Sequence, residues 1–149
     1  MVKAIHPVAG AVALAIIALF WLSTLVSELM LGDDMVVLVK TTIPYGFLVL
    51  IPAMAAAGGT GFRLARGRNG GLVGTKARRM KLIAGNGLLI LVPSAFFLAA
   101  RAESGSFDTA FNLVQILELA AGALNITLLA LNMRDGLKMT AKRRVARMT

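Results

Sequence analysis

The first long apolar run of the chain is PVAGAVALAIIALFWLSTLVSELML, residues 7–31, and Glu28 is its one ionisable residue. A helix needs about 20 mostly apolar residues to cross the hydrocarbon core of a bilayer, so this run is long enough to span. Three more such runs lie at about residues 35–58, 82–100 and 107–133. The sequence therefore predicts an all-α integral membrane protein, a four-helix bundle in a single domain of residues 1–149.

The overall composition agrees with four membrane crossings. Hydrophobic side chains make up 58% of the 149 residues, the mean hydropathy is +0.79, and 15% of the residues are charged, against about a quarter in ordinary soluble domains. The four runs use most of the chain and leave no room for a soluble catalytic domain. Because the sequence contains no cysteine, disulfides, thiolate nucleophiles and Cys-ligated metal clusters are excluded.

The basic residues fall on one side of the predicted membrane. The formal net charge is +9, and the other side holds only two of the 16 basic residues, Lys40 and Arg101. The remaining ones are Lys3, Arg63, Arg66, Arg68, Lys76, Arg78, Arg79, Lys81, Arg134, Lys138, Lys142, Arg143, Arg144 and Arg147. Since cytoplasmic loops retain Lys and Arg, we expect both termini in the cytoplasm of a bacterium, with the protein in its inner membrane. We expect this basic surface to contact anionic lipids and not nucleic acid.

The connections between the runs predict two antiparallel hairpins. The outer connections, about residues 32–34 and 101–106, are short, which makes helices one and two, and helices three and four, neighbours. The inner connection, residues 59–81, is basic and rich in glycine, and we interpret it as a flexible linker that lies on the membrane surface. A basic tail, residues 134–149, follows the fourth helix, with Gly136 at a position suited to a helix C-cap.

Prolines interrupt two of the predicted helices. Pro44 and Pro52 lie in the second helix and Pro93 lies in the third. Each removes one helical hydrogen bond, so we expect a kink at each position. Kinks of this kind serve either the packing of the bundle or a binding site.

The fourth helix carries a series of polar residues in an otherwise apolar run. Their spacing of 3, 3, 7 and 7 residues predicts that all lie on one inward stripe: Asn112, Gln115, Glu118, Asn125 and Asn132. Glu118 lies near the middle of the bilayer, and without a cation nearby we expect it to be largely protonated. It would act as a proton-relay carboxyl, as a hydrogen-bond donor to a cofactor, or as one side of an interhelical hydrogen bond to Gln115 or Thr24. We assign Asn86 of the third helix to the same polar network.

The first helix has a shorter polar stripe of Trp21, Thr24 and Glu28. Glu28 lies towards the outer end of the helix, at a depth that the long side chain of Lys40 can reach from the second helix. We therefore expect an ion pair between Glu28 and Lys40 in the outer half of the bundle.

The single histidine, His6, precedes Pro7 at the inner end of the first helix. One interpretation is an interfacial histidine in front of a proline at the first helical position. The other is a metal or haem ligand. At a similar depth lie three methionines that offer a thioether as the second axial ligand, and His6 of a second copy of the chain is a further candidate. The methionines are Met54, Met80 and Met133.

The four-helix layout and two short segments resemble known membrane proteins. The segments are His6-Pro7-Val8-Ala9-Gly10 and Leu131-Asn132-Met133-Arg134-Asp135-Gly136. The chain resembles small four-helix proteins of bacterial inner membranes and, more loosely, membrane b-type cytochromes and copper-resistance-D-like proteins. In those cytochromes a histidine commonly lies near a helix end, so the resemblance implies haem b at His6.

Two functions follow from the sequence. The first is a membrane redox module, for haem-b or quinone-associated electron transfer, as a homo-oligomer or as a membrane subunit of a larger respiratory or photosynthetic complex. The alternative is a cofactor-free accessory or scaffold subunit of a membrane complex. A hydrolase or transferase is disfavoured because His6 is the only imidazole and no nucleophile with a histidine partner is visible.

Overall fold

The computed structural model describes residues 2–65, 67 and 70–145. Within these ranges, it describes the side chains of residues 4–141. The described part is helical, with no strand, as the sequence predicts. Five α-helices follow one another, and a π-helical turn at Gly87–Leu91 joins the third to the fourth. The helices are α1 (Val2–Met30), α2 (Asp33–Ala65), α3 (Gly71–Asn86), α4 (Val92–Glu103) and α5 (Thr109–Val145).

Four helical segments are long and apolar enough to cross a membrane. They are Ala4–Met30, Asp33–Ala65, Gly71–Glu103 and Thr109–Ala141. The third of them, which we call the third span, consists of α3, the π-helical turn and α4. By length and composition, the described chain is that of a multi-pass membrane protein.

Contacts between neighbouring helices show that they run antiparallel. Near the start of α1, His6 meets the last part of α2, whereas Thr24, near the end of α1, meets Lys40 in the first part of α2. α5 packs against α1 and along the third span, and α2 packs much more extensively on α4 than on α3. We call the end with the α1–α2 and α4–α5 turns the turn end, and the opposite end the basic end.

The turn end is fixed by short-range polar contacts. The backbone N–H of Phe111 donates to the carboxylate of Asp108 at 2.9 Å, which caps the first turn of α5. Arg101 pairs with Asp108 at 3.2 Å across the same turn. Gly105 has a φ of +67°, a backbone conformation that glycine adopts without steric cost. This turn therefore sets the close antiparallel start of α5 against α4.

Three small apolar clusters hold the helices together. The cluster at the turn end includes Leu98 and Phe111, the middle one Ile43 and Phe47, and the one nearer the basic end Ile83. Many large apolar side chains point outward instead. A soluble monomer rarely exposes apolar surface on this scale, so the outer faces suit contact with lipid chains. The most exposed ones include Leu29, Met30, Tyr45, Leu48 and Leu89.

The helices extend beyond the predicted boundaries. The predicted linker of residues 59–81 is wrong for most of its length, because α2 continues to Ala65 and α3 begins at Gly71. The expected helix end at Gly136 is also wrong, since α5 continues to Val145. An apolar run marks where a helix can meet lipid, whereas Lys and Arg are good helix formers that continue it into water. Of the basic residues assigned to this surface, Arg66, Arg68 and Arg147 lie outside the described residues.

The start of α1 and the helix around Pro93 also differ from the sequence prediction. α1 begins at Val2, so Pro7 is not its first residue. α2 runs as one helix through Pro44 and Pro52. Next to Pro93, the backbone N–H of Val92 donates to the carbonyl of Gly87, five residues earlier. Proline has no N–H and crowds the carbonyl four residues before it, and the π-helical turn before Pro93 accommodates both effects.

Candidate functional site

A buried ion pair lies in the turn-end half of the bundle. The Nζ of Lys40 is 2.6 Å from Oε2 of Glu118, and the two side chains are 1% and 12% exposed. Lys40 also donates to the hydroxyl of Thr24, at 3.5 Å. α1, α2 and α5 thus each contribute one polar group to a single contact, which we call the lysine cluster.

Two expectations about this cluster were wrong. We expected Lys40 to pair with Glu28, but its hydrogen bonds go to Glu118 and Thr24. We also expected Glu118 to lack a cation and to be protonated for that reason, and the ammonium group at 2.6 Å removes that reason. The sequence predicts Glu28 and Lys40 towards one end of the bundle and Glu118 near the middle of the bilayer, but it does not show the register between α2 and α5.

Polar atoms near the cluster are buried without a partner. Oε1 of Glu28 and both amide atoms of Gln115 are inaccessible and hydrogen-bond to none of the described residues. Gln115 is 5% exposed and lies one turn from Glu118 on α5. Since a buried polar atom without a hydrogen bond is costly, these atoms favour a water molecule or another small polar species beside the lysine cluster.

A second polar contact joins the third span to α5 nearer the basic end. Asn86 donates through Nδ2 to Oδ1 of Asn125 and to the carbonyl of Ala121, both at 2.8 Å. Asn125 in turn donates to the carbonyl of Ile83 at 3.3 Å. This amide pair confirms that Asn86 and Asn125 face the interior, and it accounts for their polarity by structural hydrogen bonds.

The predicted polar stripe of α5 is correct except at its first member. Gln115, Asn125 and Asn132 are buried, Glu118 is largely buried, and Asn112 is exposed. Each step of three residues turns a helix of 3.6 residues per turn back by about 60°. Two such steps separate Asn112 from Glu118, which moves Asn112 off the inward face.

A cavity of about 420 Å³ lies among all four spans. Along α2 its lining extends from Ile43 to Phe62, which is about 28 Å at the helical rise of 1.5 Å per residue. Its surface is almost entirely apolar, with aromatic rings from α1 and α2. Thr24 and Glu118 line its wall at the lysine cluster, and Lys81 lines it at the basic end. The lining rings are Phe20, Trp21, Phe47 and Phe62.

Trp21 forms part of the cavity wall and is held in place on both sides. Its indole N–H donates to the carbonyl of Leu119 at 2.9 Å. A Cβ on Gly122 would come within 2.9 Å of Cδ1 of this ring. The absence of a side chain at position 122 therefore lets α1 and α5 approach closely enough to form the wall. Of the polar stripe predicted on α1, Thr24 is buried, and Trp21 and Glu28 are partly buried.

His6 lies beside α2 and not in the cavity. Its Nδ1 is 3.0 Å from the carbonyl of Ala57 and 3.3 Å from the hydroxyl of Thr60. Donation from Nδ1 to the carbonyl leaves Nε2 as the unprotonated ring nitrogen, a state that ligating histidines also adopt. His6 is not among the residues that line the cavity.

The three methionines proposed as second ligands separate into two groups. Met54 and Met80 line the cavity and pack around Ile83. Met133 is 47% exposed. Among the described residues that line the cavity there is no histidine, so thioether groups are the only soft donors that it offers. This donor set does not fit a haem in the cavity.

The basic end contains an ion pair that sequence reasoning missed. Asp135 of α5 is 4% exposed, and its carboxylate accepts from Arg79 of α3 at 2.7 Å. Arg134 approaches the same carboxylate at 3.6 Å. Asp135 is the only acidic residue between the fourth apolar run and the end of the given sequence. That isolation among basic residues is the signal that could have identified it as a partner for α3.

The comparisons with known proteins give no relative, since no family model, no curated protein and no solved structure matches the chain.

Proposed function

We propose that this protein is a quinone-associated redox module of a bacterial inner membrane and that its cavity holds an isoprenoid quinone. The observation that carries the proposal is the shape and chemistry of the cavity. It is long, narrow and apolar, and it has buried polar side chains at its turn-end wall. An isoprenoid quinone has the matching parts, which are an apolar chain and a compact, uncharged polar ring.

The wall at the lysine cluster suits a quinone ring. The hydroxyl of Thr24 is placed to donate to a ring carbonyl, and the aromatic faces of Phe20 and Trp21 offer stacking surfaces beside it. Binding sites for small molecules commonly combine such an apolar lining with a few polar groups that orient the ligand. A phospholipid would place its chain ends, and no polar group, against Thr24 and Glu118.

We favour the quinone over the haem because of the donor set. The imidazole of His6 lies outside the cavity, against Ala57 and Thr60. Met54 and Met80 are the thioethers inside it. Electron transfer to or from a bound quinone needs a redox partner, so we propose that the chain acts as a homo-oligomer or as a membrane subunit of a larger respiratory or photosynthetic complex.

We propose that the basic end faces the cytoplasm, with both termini there. Described basic residues gather at this end on α2, α3 and α5, and cytoplasmic segments are the ones that retain such residues. The lysine cluster then lies in the periplasmic half of the membrane. The cytoplasmic end would contact anionic lipid headgroups. The described basic residues at this end are Arg63, Lys76, Arg78, Arg79, Lys81, Arg134 and Lys138.

The proposal is tested by the lipid content of the purified protein. Protein from quinone-replete bacterial cells is washed in detergent and extracted with organic solvent, and quinone is measured by its reduction difference spectrum and by mass spectrometry. We expect a quinone in near-stoichiometric amount and no Soret absorption. An extract with phospholipid alone would overturn the quinone and leave the scaffold function in front, and a Soret band would favour the haem.

A cavity-filling variant supplies the matched control. Both Ala84 and Ala130 are exposed, but Ala84 lines the cavity and Ala130 does not. Ala84→Phe should lower the bound quinone at least fivefold, because the ring takes up space that the ligand uses. Ala130→Phe adds the same ring to the outer face and should leave the quinone content unchanged. Equal quinone content in the two variants would show that the quinone binds elsewhere.

A further inference from the structure

The residues around Lys40 contain one more ionisable carboxyl group than the ion pair needs. Lys40 and Glu118 neutralise each other at 2.6 Å. Glu28 lies one helical turn beyond Thr24 on α1, and Oε1 of its carboxyl group is buried without a hydrogen bond to any described residue. With all three groups ionised, the cluster would carry a net charge of −1.

Among the described residues, the charged groups around Glu28 do not supply a second cation. Lys40, Glu118 and Asp33 are the charged side chains that act on it, from α2 and α5. On α4, which packs at the same end, Arg101 pairs with Asp108 and Glu103 is exposed. A net charge inside the apolar part of a membrane protein is expensive. One bound proton makes the cluster neutral.

We propose that Glu28, Lys40 and Glu118 form a proton-binding site that holds one exchangeable proton shared between the two carboxyl groups. The unpartnered amide of Gln115, one turn from Glu118 and 5% exposed, is a second feature that favours a small polar occupant there. Water held by this amide and by Oε1 of Glu28 would connect the two carboxyl groups.

The proton site reaches the turn end through Glu28 and the cavity through Glu118. Glu28 lies in the last turn of α1, two residues before Met30, and its side chain is partly exposed at the turn end. Glu118 lines the cavity. The proton thus enters from the aqueous phase at the turn end, through Glu28, and reaches the cavity wall at Glu118. The site goes beyond the binding of a quinone and does not depend on it.

The test is infrared spectroscopy of the full chain, purified from a quinone-deficient host strain and held in micelles of dodecyl maltoside, a detergent without carbonyl groups. A protonated carboxyl group has a C=O stretching band that shifts in heavy water. We expect the band of one such group in the protein at neutral pH. Raising the pH should remove its band reversibly.

Variants give the site a specific signature. Glu28→Gln and Glu118→Gln should each abolish the band, because a single remaining carboxylate is neutralised by Lys40. Lys40→Met should double it, because both carboxyl groups then take up a proton. Glu103→Gln, the matched control at the same end, should leave it unchanged.

Two outcomes would overturn the proton site. One is the absence of the band in the unaltered protein at neutral pH, and the other is a band that persists in both Glu28→Gln and Glu118→Gln. Failure of Lys40→Met to fold would not affect the test, because the two glutamine variants retain a neutral cluster. Since no quinone is present, the result is independent of the extraction experiment, and either proposal can fail while the other holds.

Discussion

At the scale of single residues, the pair of Lys40 and Glu118 is the most consequential contact of the bundle. It joins α2 to α5 at a point where both side chains are removed from water. A buried ion pair adds little net stability compared with apolar residues of the same shape, but breaking it by removal of one partner is costly. Its value for the fold is therefore the alignment of two helices that are far apart in sequence.

The first prediction concerns this pair. Lys40→Met should lower the free energy of unfolding by about 1–3 kcal/mol, because Glu118 loses its charge-assisted hydrogen bond and is then buried as a protonated acid without that partner. The double variant Lys40→Met with Glu118→Leu should recover most of that loss, since no carboxyl group at position 118 is then left without its partner. The measurement is helicity during titration with sodium dodecyl sulfate in mixed micelles. A double variant that is less stable than Lys40→Met would contradict this account.

The ion pair at the basic end allows a comparable test at the surface. Asp135 is buried at 4% exposure while Arg79 is partly exposed. Asp135→Asn should destabilise the bundle measurably, because a charge-assisted hydrogen bond becomes a neutral one. Asp34→Asn, at an exposed position of α2, is the control and should change the same detergent titration little. A similar loss in both variants would mean that Asp135 does not hold α3 to α5.

At the scale of helices, close packing between α1 and α5 depends on the missing side chain at Gly122. Gly122→Ala would place a Cβ 2.9 Å from Cδ1 of Trp21, a ring that the hydrogen bond to Leu119 prevents from moving freely. Overpacking of this kind costs about 1–3 kcal/mol. We expect a lower melting temperature by circular dichroism in detergent, together with loss of the cavity wall and less bound quinone.

Gly136 on the same helix provides the matched control. There an added Cβ would meet Nζ of Lys76 at 3.0 Å, and the end of a lysine side chain can move aside. Because alanine favours a helix over glycine by up to about 1 kcal/mol, Gly136→Ala should be neutral or slightly stabilising. Equal destabilisation by the two substitutions would show that the Trp21 contact does not limit the approach of α1 to α5.

Helix identity was predictable from the sequence, whereas helix register was not. The four apolar runs give the spans, and the polar spacing gives the inward faces of Thr24 and Gln115. The partner of Lys40 depends on how far α2 slides along α5, and the two residues are 78 positions apart. The register of α2 along α5 is set by the packing of whole helix faces, including Gly122 against Trp21, and no local sequence pattern records it.

The cavity was not predictable for the same reason. It depends on how the helices pack, with α2 more extensively on α4 than on α3, and the apolar residues that line it have the same character as those that face lipid. Helix ends were also missed, since α2 and α5 carry their basic residues on helical turns beyond the apolar runs. Composition identifies the membrane-facing part of a helix, whereas backbone hydrogen bonding determines its length.

At the scale of the whole molecule, the separation of charge between the two ends of the bundle is the basis of the proposed orientation. Apart from Lys40 and Arg101, the described basic residues cluster at one end, and the turn end holds Asp33, Asp34, Glu103 and Asp108. Insertion that retains Lys and Arg in the cytoplasm fixes both hairpins in the same sense. The proposed orientation would place the proposed proton site in the periplasmic half.

The last prediction tests that orientation by reporter fusions in a bacterial host. Alkaline phosphatase, which is active only after export, should be silent when fused after Thr149 and active when inserted after Gly105 in the α4–α5 turn. A fluorescent protein that folds only in the cytoplasm should give the opposite pattern at the same two positions. Exchange of Arg63, Lys76, Arg78 and Lys81 for glutamine should weaken the preference, because the bias that holds the α2–α3 connection inside is reduced. Phosphatase activity at the C-terminus with silence at Gly105 would reverse the bundle and move the lysine cluster, with its proton route, to the cytoplasmic side.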